Sequence, residues 1–468
     1  MKKTFPLYLF AIALLGLQTS CDKTLNALPT QEKVDDNVIV DQKSAEIALN
    51  GVYYFFANVS ENRTTGLPGT TWAPTHEVLP AQFAGVLEHY QGPSRPEMHT
   101  MTAREEREVL PIWSENYKLA NAANGVIAGI EALSEGKLKG DRRLQILGES
   151  RFLRAYANFK LLAYYGEFFD SNSKFGAMIR TKPVTVSTIA TGRKSVAETY
   201  AFILEDIDYA IANAPAENPN YYATKWAAML LKMRVLMLRQ NAQDYSQVVT
   251  LANQLIGQSP YTLESHVEDI FLNKGLASKE VILGTKAFAN QIAEMEKYYY
   301  RNTYNYNATP FLLDLLKDDP RASWMLKTVK GKQVFVKHMG AQAEAKFAFR
   351  LTEAYLLKAE ALARSKGSIT EIKDLLKTVK SKAGITDFTA LDALNTHDQL
   401  TMAVFKEIMR NLIAEDGSDW MALLRWPLET VKQFNPNMKE KWQYILPVPY
   451  SEFERNPTFG AQNPGYGW

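Results

Sequence analysis

The sequence predicts a mainly α-helical protein made of degenerate tetratricopeptide-like helix pairs, with long loops and a few short strands. Three observations carry this reading. Apolar residues recur three and four positions apart through most of the chain, as at Phe152, Tyr156, Phe159 and Ala163. The segments so patterned are one to two dozen residues long and are joined by short polar turns, the habit of stacked helix pairs. Two stretches, 57–107 and 260–348, break the pattern. The strict repeat of about 34 residues is absent, so the pairs are degenerate.

The bulk numbers narrow the function. A chain of 468 residues is too long for one ordinary compact core, so a repeat architecture or two domains are the default readings. A formal charge of +2, with no long Lys/Arg block, gives no field for gripping nucleic acid. The single cysteine rules out an intramolecular disulfide. The six histidines show no ligand spacing, and there is no HExxH, CxxC, phosphate loop or G-x-S-x-G, so the sequence points to no metal, cofactor or catalytic residue.

The chain opens with Lys2, Lys3 and an apolar run from Phe5 to Leu17, followed by Gln18-Thr19-Ser20-Cys21. This reads as a signal peptide over 1–20, too short to remain as a membrane span. The only cysteine sits at the junction, so Cys21 is expected to be the lipidated N-terminus, followed by a tether over 21–43. Residues 44–468 are expected to form a single helical domain. Its N-terminal part, 44–259, opens with a helix through Ala45, Ala48, Leu49 and Val52.

Between 57 and 107, Gly66, Pro68, Gly69, Pro74, Pro80, Gly92, Pro93 and Pro96 are expected to break any regular element. The aromatics Trp72, Phe83 and Tyr90 argue against disorder, which makes this long loop a candidate ligand surface. Helical text then resumes: Leu119, Ala123, Val126, Ile130 and Leu133 form one stripe, and Gly148–Phe169 holds the next helix, closed at Gly166. Ser195 and Glu198 form a capping box ahead of Val196, Tyr200, Ile203 and Ile207. Trp226, Leu230, Met233 and Met237 lie on a helix apolar over so wide an arc that it must be enclosed, and Val248, Leu251 and Leu255 follow.

Residues 260–348 read as an irregular insertion. Glu280–Leu283 and Gln333–Val336 are short strands, and between them the run from Tyr298 to Tyr306 holds five tyrosines among nine residues, with no period to explain them. Helices return from Arg350, where Glu360 and Arg364 are spaced to pair. Ser368 and Glu371 make a second capping box, and Leu400, Val404, Ile408 and Leu412 mark a later helix. Trp420 and Trp426 are expected to be core or interface aromatics. Prolines near Leu446–Pro449 fix an extended strap across the helices.

Several of these stretches resemble the SusD/RagB family of surface lipoproteins. The helix Gly148-Glu149-Ser150-Arg151-Phe152-Leu153-Arg154-Ala155 is similar to its G-E-A-R-F-L-R-A signature. Leu49-Asn50-Gly51-Val52-Tyr53 and Asp319-Pro320-Arg321 match its L-N-G-x-Y and D-P-R. Arg350, Glu353, Leu356, Ala359, Glu360 and Ala361 fit R-x-x-E-x-x-L-x-x-A-E-A. Leu446-Pro447-Val448-Pro449 and Gln462-Asn463-Pro464-Gly465-Tyr466 fit L-P-I-P and Q-N-P-G-Y. In E-G-x-R-W-x-D-L-x-R-W the arginine is replaced by Asp419 and the aspartate by Ala422, so any ion pair those two make elsewhere is lost.

The resemblance implies a SusD-like body whose helix-pair side packs on a SusC-like TonB-dependent transporter in the outer membrane. The opposite, loop-rich face would hold an oligosaccharide or other small nutrient. Trp72, Tyr90, Tyr298, Tyr299, Tyr300 and Tyr304 are the residues expected to bind it, because a sugar ring's C–H face stacks on aromatic rings. The rival classes are a helical scaffold and a glycan hydrolase. A hydrolase would need two carboxyls facing each other in one cleft.

Overall fold

The computed structural model describes residues 39–61, 68–285, 298–300 and 302–467. The expected signal peptide, Cys21 and most of the tether lie outside the described residues. Among the described residues the body is carried chiefly by α1 (Gln42–Phe56), α2 (Glu106–Ala132), α3 (Asp141–Tyr165), α4 (Val196–Asn213), α5 (Lys225–Arg239), α6 (Ala242–Gln258), α7 (Leu351–Arg364), α8 (Ile369–Lys382), α9 (His397–Asn411) and α10 (Ser418–Leu424). From α1 to α6 each packs on the next in sequence, the nearest-neighbour stacking of helix-pair repeats. The stack then runs from α6 directly to α7, although some ninety residues intervene, so the 260–348 segment leaves it unbroken.

The signature helix α3 is buried from Ile146 to Tyr165 at every position but Arg151, Lys160 included. Gly148 is needed for close approach: a Cβ there would lie 2.6 Å from the backbone of Ala214, just past the end of α4. Gly166 ends the helix in extended backbone. The Ser195 box is complete, with Glu198 N–H donating to Ser195 Oγ at 3.2 Å and Ser195 N–H to Glu198 Oε2 at 2.9 Å. The Ser368 box is only half made. Ser368 Oγ caps Glu371 N–H, but the Glu371 carboxylate pairs with Lys358 Nζ at 2.7 Å instead of turning back.

The family-like motifs are mostly buried ion pairs that lock helices together. Arg154 grips Asp206 of α4 with bonds of 2.7 and 2.8 Å and reaches Asn124 of α2 at 2.8 Å. Arg234 of α5 holds Glu353 of α7 at 2.6 and 2.7 Å, and Arg350 holds Glu415 and Glu280. Arg321 of the D-P-R turn pairs with Asp319 and with Glu407 of α9. Glu360 accepts from Arg364 as its spacing predicts, and also from Arg425. These bidentate arginine–carboxylate geometries are the ones that can offset the cost of burying charge.

Asp419, which stands where the family has arginine, has no charged partner in bonding contact among the described residues. It accepts Ala414 N–H at 2.9 Å and Trp420 N–H at 2.8 Å, while Ala422 is simply packed. Trp420 is core, as expected, between Phe83 and His99. Trp426 is half-buried against Phe405.

The C-terminal strap is tied to the end of α3. Leu446 N–H donates to Tyr164 O at 2.6 Å, and Asn463 Nδ2 donates to Tyr165 O and Leu446 O at 2.9 and 2.7 Å. Among the described residues no helix is long and apolar enough to cross a membrane.

Candidate functional site

The two segments singled out as irregular are neither structureless nor apart. In 57–107 three of the prolines begin short helical turns, and Pro68 begins a short strand. Pro74 and Pro80 each fall in the first turn, at Ala73–Val78 and Leu79–Phe83, and Pro96 does the same at Arg95–Met98. Proline lacks an N–H that the first turn does not use, so these residues start helices where they were expected to break them.

The same loop contributes strand β1 (Leu87–His89). Besides a short antiparallel pair, Val59–Glu61 with Pro68–Thr70, the other strands among the described residues are β2 (Val281–Thr285), β3 (Tyr299–Tyr300), β4 (Thr303–Tyr304), β5 (Tyr306–Ala308), β6 (Leu326–Val329), β7 (Lys332–Phe335) and β8 (Lys346–Arg350). Hence the tyrosine run is a small hairpin leading into a strand. β2 pairs with β8, a strand that the sequence does not signal and that leads directly into the helix expected from Arg350.

An antiparallel sheet in the order β1-β5-β7-β6 joins the two segments. His89 lies opposite Tyr306, Glu88 opposite Asn307, Asn307 opposite Val334, and Val334 opposite Lys327. Partners across a ladder share a face and neighbours along a strand alternate. One face therefore carries His89, Tyr306 and Phe335. The other carries Glu88, Asn307, Val334, Lys327 and Lys332, with Tyr90 continuing it one residue beyond β1, where its N–H donates to Asn305 O at 2.8 Å.

That second face meets the β3–β4 hairpin. Tyr299 and Tyr304 pack ring to ring at 4.8 Å, Lys327 Nζ donates to Tyr304 Oη at 3.0 Å, and Lys332 Nζ sits 5.1 Å over the Tyr90 ring. Tyr90, Tyr299 and Tyr304 are each half-buried, so part of every ring remains open.

Trp72 and Tyr298 are corrections to the expected set. Trp72 is 0% exposed, stacked on His76 at 4.2 Å and edge-on to Phe56. Tyr298 is 1% exposed; its hydroxyl donates to Glu77 Oε2 at 2.6 Å and its ring stacks on His338. Neither offers a ring face to a ligand; both fasten the sheet region to the core. Tyr300 contributes backbone to β3, opposite Thr303.

On the opposite face of the sheet a cleft of about 300 Å³ opens between β1, the 73–82 turns and the start of α2. Its walls include Thr75, Gln82, His89, Ser94, Glu108 and Tyr306, with Pro74, Pro96 and Pro111 as apolar lining. His89 and Tyr306 meet edge to face at 6.1 Å. Glu108 is the one carboxylate among the described lining residues. Below it on α2, Glu115 accepts from Thr71, and burial pushes its carboxyl up to about 7. Sequence reasoning missed this cleft. Nothing in the spacing of His89 or Glu108 marks them, and only the tyrosine run points to Tyr306. Among the described residues no cluster of His, Cys, Asp or Glu is placed to hold a metal ion.

The fold and the motifs agree with the comparisons to known proteins. Residues 285–442 match the model of the SusD family, and residues 76–237 match one described as starch-binding, associating with the outer membrane. The chain belongs to the SusD/RagB family. A SusD-like protein of Bacteroides ovatus is 22% identical over 267 residues, which is 54% of this chain and 46% of that protein. A SusD-like protein of Formosa agariphila is 22% identical over 270 residues, 56% of this chain and 48% of its own. The chain thus spans about half the length of the curated relatives it matches. A SusD superfamily structure from Bacteroides thetaiotaomicron superposes with a TM-score of 0.75 at 21% identity, covering 91% of this chain and 100% of that one. A laminarin-binding SusD-like protein gives 0.69 at 17% identity, with 91% and 100% covered.

Proposed function

We propose that this protein is a lipid-anchored binding protein of the outer-membrane surface that captures a glycan and passes it to a SusC-like TonB-dependent transporter. The observation that carries the reading is the β1–β5 pairing. It brings two distant aromatic segments into one sheet and leaves Tyr90, Tyr299 and Tyr304 open together. Half-open tyrosines suit the apolar face of a sugar ring, and Asn302 and the nearby lysines suit its hydroxyls. A starch-binding family model and a laminarin-binding structural neighbour support glycan as the ligand class. The helix-pair side, with the C-terminal strap, is the surface we assign to the transporter.

Screening the purified protein against a glycan panel tests the ligand, with Tyr90→Ala and Tyr304→Ala as site variants. Binding weakened by both, at unchanged melting temperature, is the expected result; a panel with no binding glycan removes the reading. Co-purification in mild detergent at native expression tests the partner. An interface of about 1,200–2,000 Å² or more should survive gentle washing, so repeated recovery of the protein alone would count against delivery to a transporter.

A further inference from the structure

We propose that the glycan held at the Tyr90–Tyr304 face is anionic, carrying carboxylate or sulfate groups. This rests on the reading of that face as the ligand surface. The β6–β7 hairpin brings Lys327, Lys330 and Lys332 to it, all exposed. None of the three forms an ion pair with a carboxylate among the described residues. Lys327 is held by the Tyr304 hydroxyl, and Lys332 by the Tyr90 carbonyl at 3.2 Å and the Tyr90 ring. Other surface lysines do reach acids, as Lys377 reaches Asp392, Lys194 reaches Glu198 and Lys432 reaches Glu429.

With 53 basic and 51 acidic residues in the chain, three lysines without acids on one hairpin are not a reflection of bulk excess. The one carboxylate placed on this face by the register is Glu88, on the far edge strand β1.

Two geometric features strengthen the point. Lys327 pairs with Val334, and Lys332 lies two residues from Val334, so the two lysines are diagonal neighbours on one face. The backbones of such neighbours lie about 7–8 Å apart, so both side chains start from one small patch of the face. Lys330 and Gly331 form the hairpin turn with φ of 48° and 78°. A left-handed backbone at the first turn position favours asparagine, aspartate or glycine, yet lysine stands there. Cations beside stacking platforms are the chemistry that recognises an acidic sugar: the rings take the C–H face and the ammonium groups take the charge.

The test compares matched polymers on the full chain in neutral detergent: dextran against dextran sulfate for sulfate, and polygalacturonate for carboxylate. Polyglutamate serves as an anion without sugar. At least one anionic glycan should bind tenfold or more tighter than dextran and than polyglutamate, and should weaken as salt rises from 50 to 300 mM. Lys327→Gln with Lys332→Gln should remove most of that advantage without lowering the melting temperature, while Lys432→Gln changes nothing. Equal binding of dextran and both anionic glycans, or polyglutamate bound as tightly as they are, would overturn the proposal. So would a lysine pair variant that binds as the parent does. If a neutral glycan binds and depends on Tyr90 and Tyr304 but not on the lysines, the ligand face stands and its anionic character falls. If no glycan of either kind binds, both fall.

Discussion

Arg234 on α5 donates from Nη1 to Asp416 Oδ2 at 2.6 Å across 182 residues of chain, and the same carboxylate also accepts from Tyr156 at 2.6 Å and meets Lys160 at 2.7 Å. Asp416 is thus the hub where the signature helix, α5 and the turn before α10 meet. Burial alone would raise its pKa, but Lys160, His76 and Arg234 together hold it well below the usual carboxylate range.

Removing one partner from this hub should be costly. Arg234→Met leaves Asp416 and Glu353 buried with a missing cation, and breaking a buried pair costs about 3–5 kcal/mol. Chemical denaturation should show a loss of that order; a loss below about 1 kcal/mol would mean that the network contributes little.

The aromatic set should separate into two behaviours. Trp72→Ala and Tyr298→Ala empty core positions and should cost about 3–5 kcal/mol of stability. Tyr90→Ala and Tyr304→Ala should leave the melting temperature nearly unchanged and weaken glycan binding by roughly thirtyfold, the scale of an aromatic hot spot. Paired calorimetry and binding titrations distinguish them, and early melting of the Tyr90 and Tyr304 variants would place those rings in the core.

Asp419 should leave a signature in pH. Its carboxyl titrates from 3.8 when unfolded to about 6 when folded, because burial disfavours the charge. Between those values the folded chain keeps a proton that the unfolded chain has released, so this group's contribution falls as pH rises through the window. Glu407 has the opposite sign. Burial would raise it, but Arg321 and Lys380 hold it at about 2, so its contribution is full above 4.5 and is lost as pH falls toward 2. Melting temperatures of Asp419→Asn and the parent from pH 4 to 7 should diverge. Parallel curves would show that Asp419 does not titrate in this range.

Anchoring is tested at Cys21. Cys21→Ser should leave the fold intact and free the protein from the membrane, because one lipidated residue is the proposed attachment. Failure of the unaltered protein to take up a fatty-acid analogue would exclude that attachment.

The helices were legible because burial of one stripe writes a period into the sequence, as at Val196, Tyr200, Ile203 and Ile207. The site was legible only in part. Tyrosines Tyr90, Tyr299 and Tyr304 stood out by composition, but Trp72 and Tyr298 look the same in sequence and differ only in what covers them. Strands of two or three residues, such as β3 and β5, are too short to show alternation. Ion-pair partners such as Lys160 and Asp416 lie 256 residues apart, a distance no local pattern reports.

The β1–β5 ladder has a kinetic and thermodynamic consequence. Its strands come from either side of α2 to α6, so the ladder closes a loop of more than two hundred residues, and such closure is slow because its entropy must be lost before the contacts form. Ligand-binding competence should therefore emerge late in refolding, after the helices have stacked. A glycan bound there engages only molecules whose two halves have met, so its binding energy is shared with the whole body by mass action. Saturating ligand should raise the melting temperature of helices that it never touches.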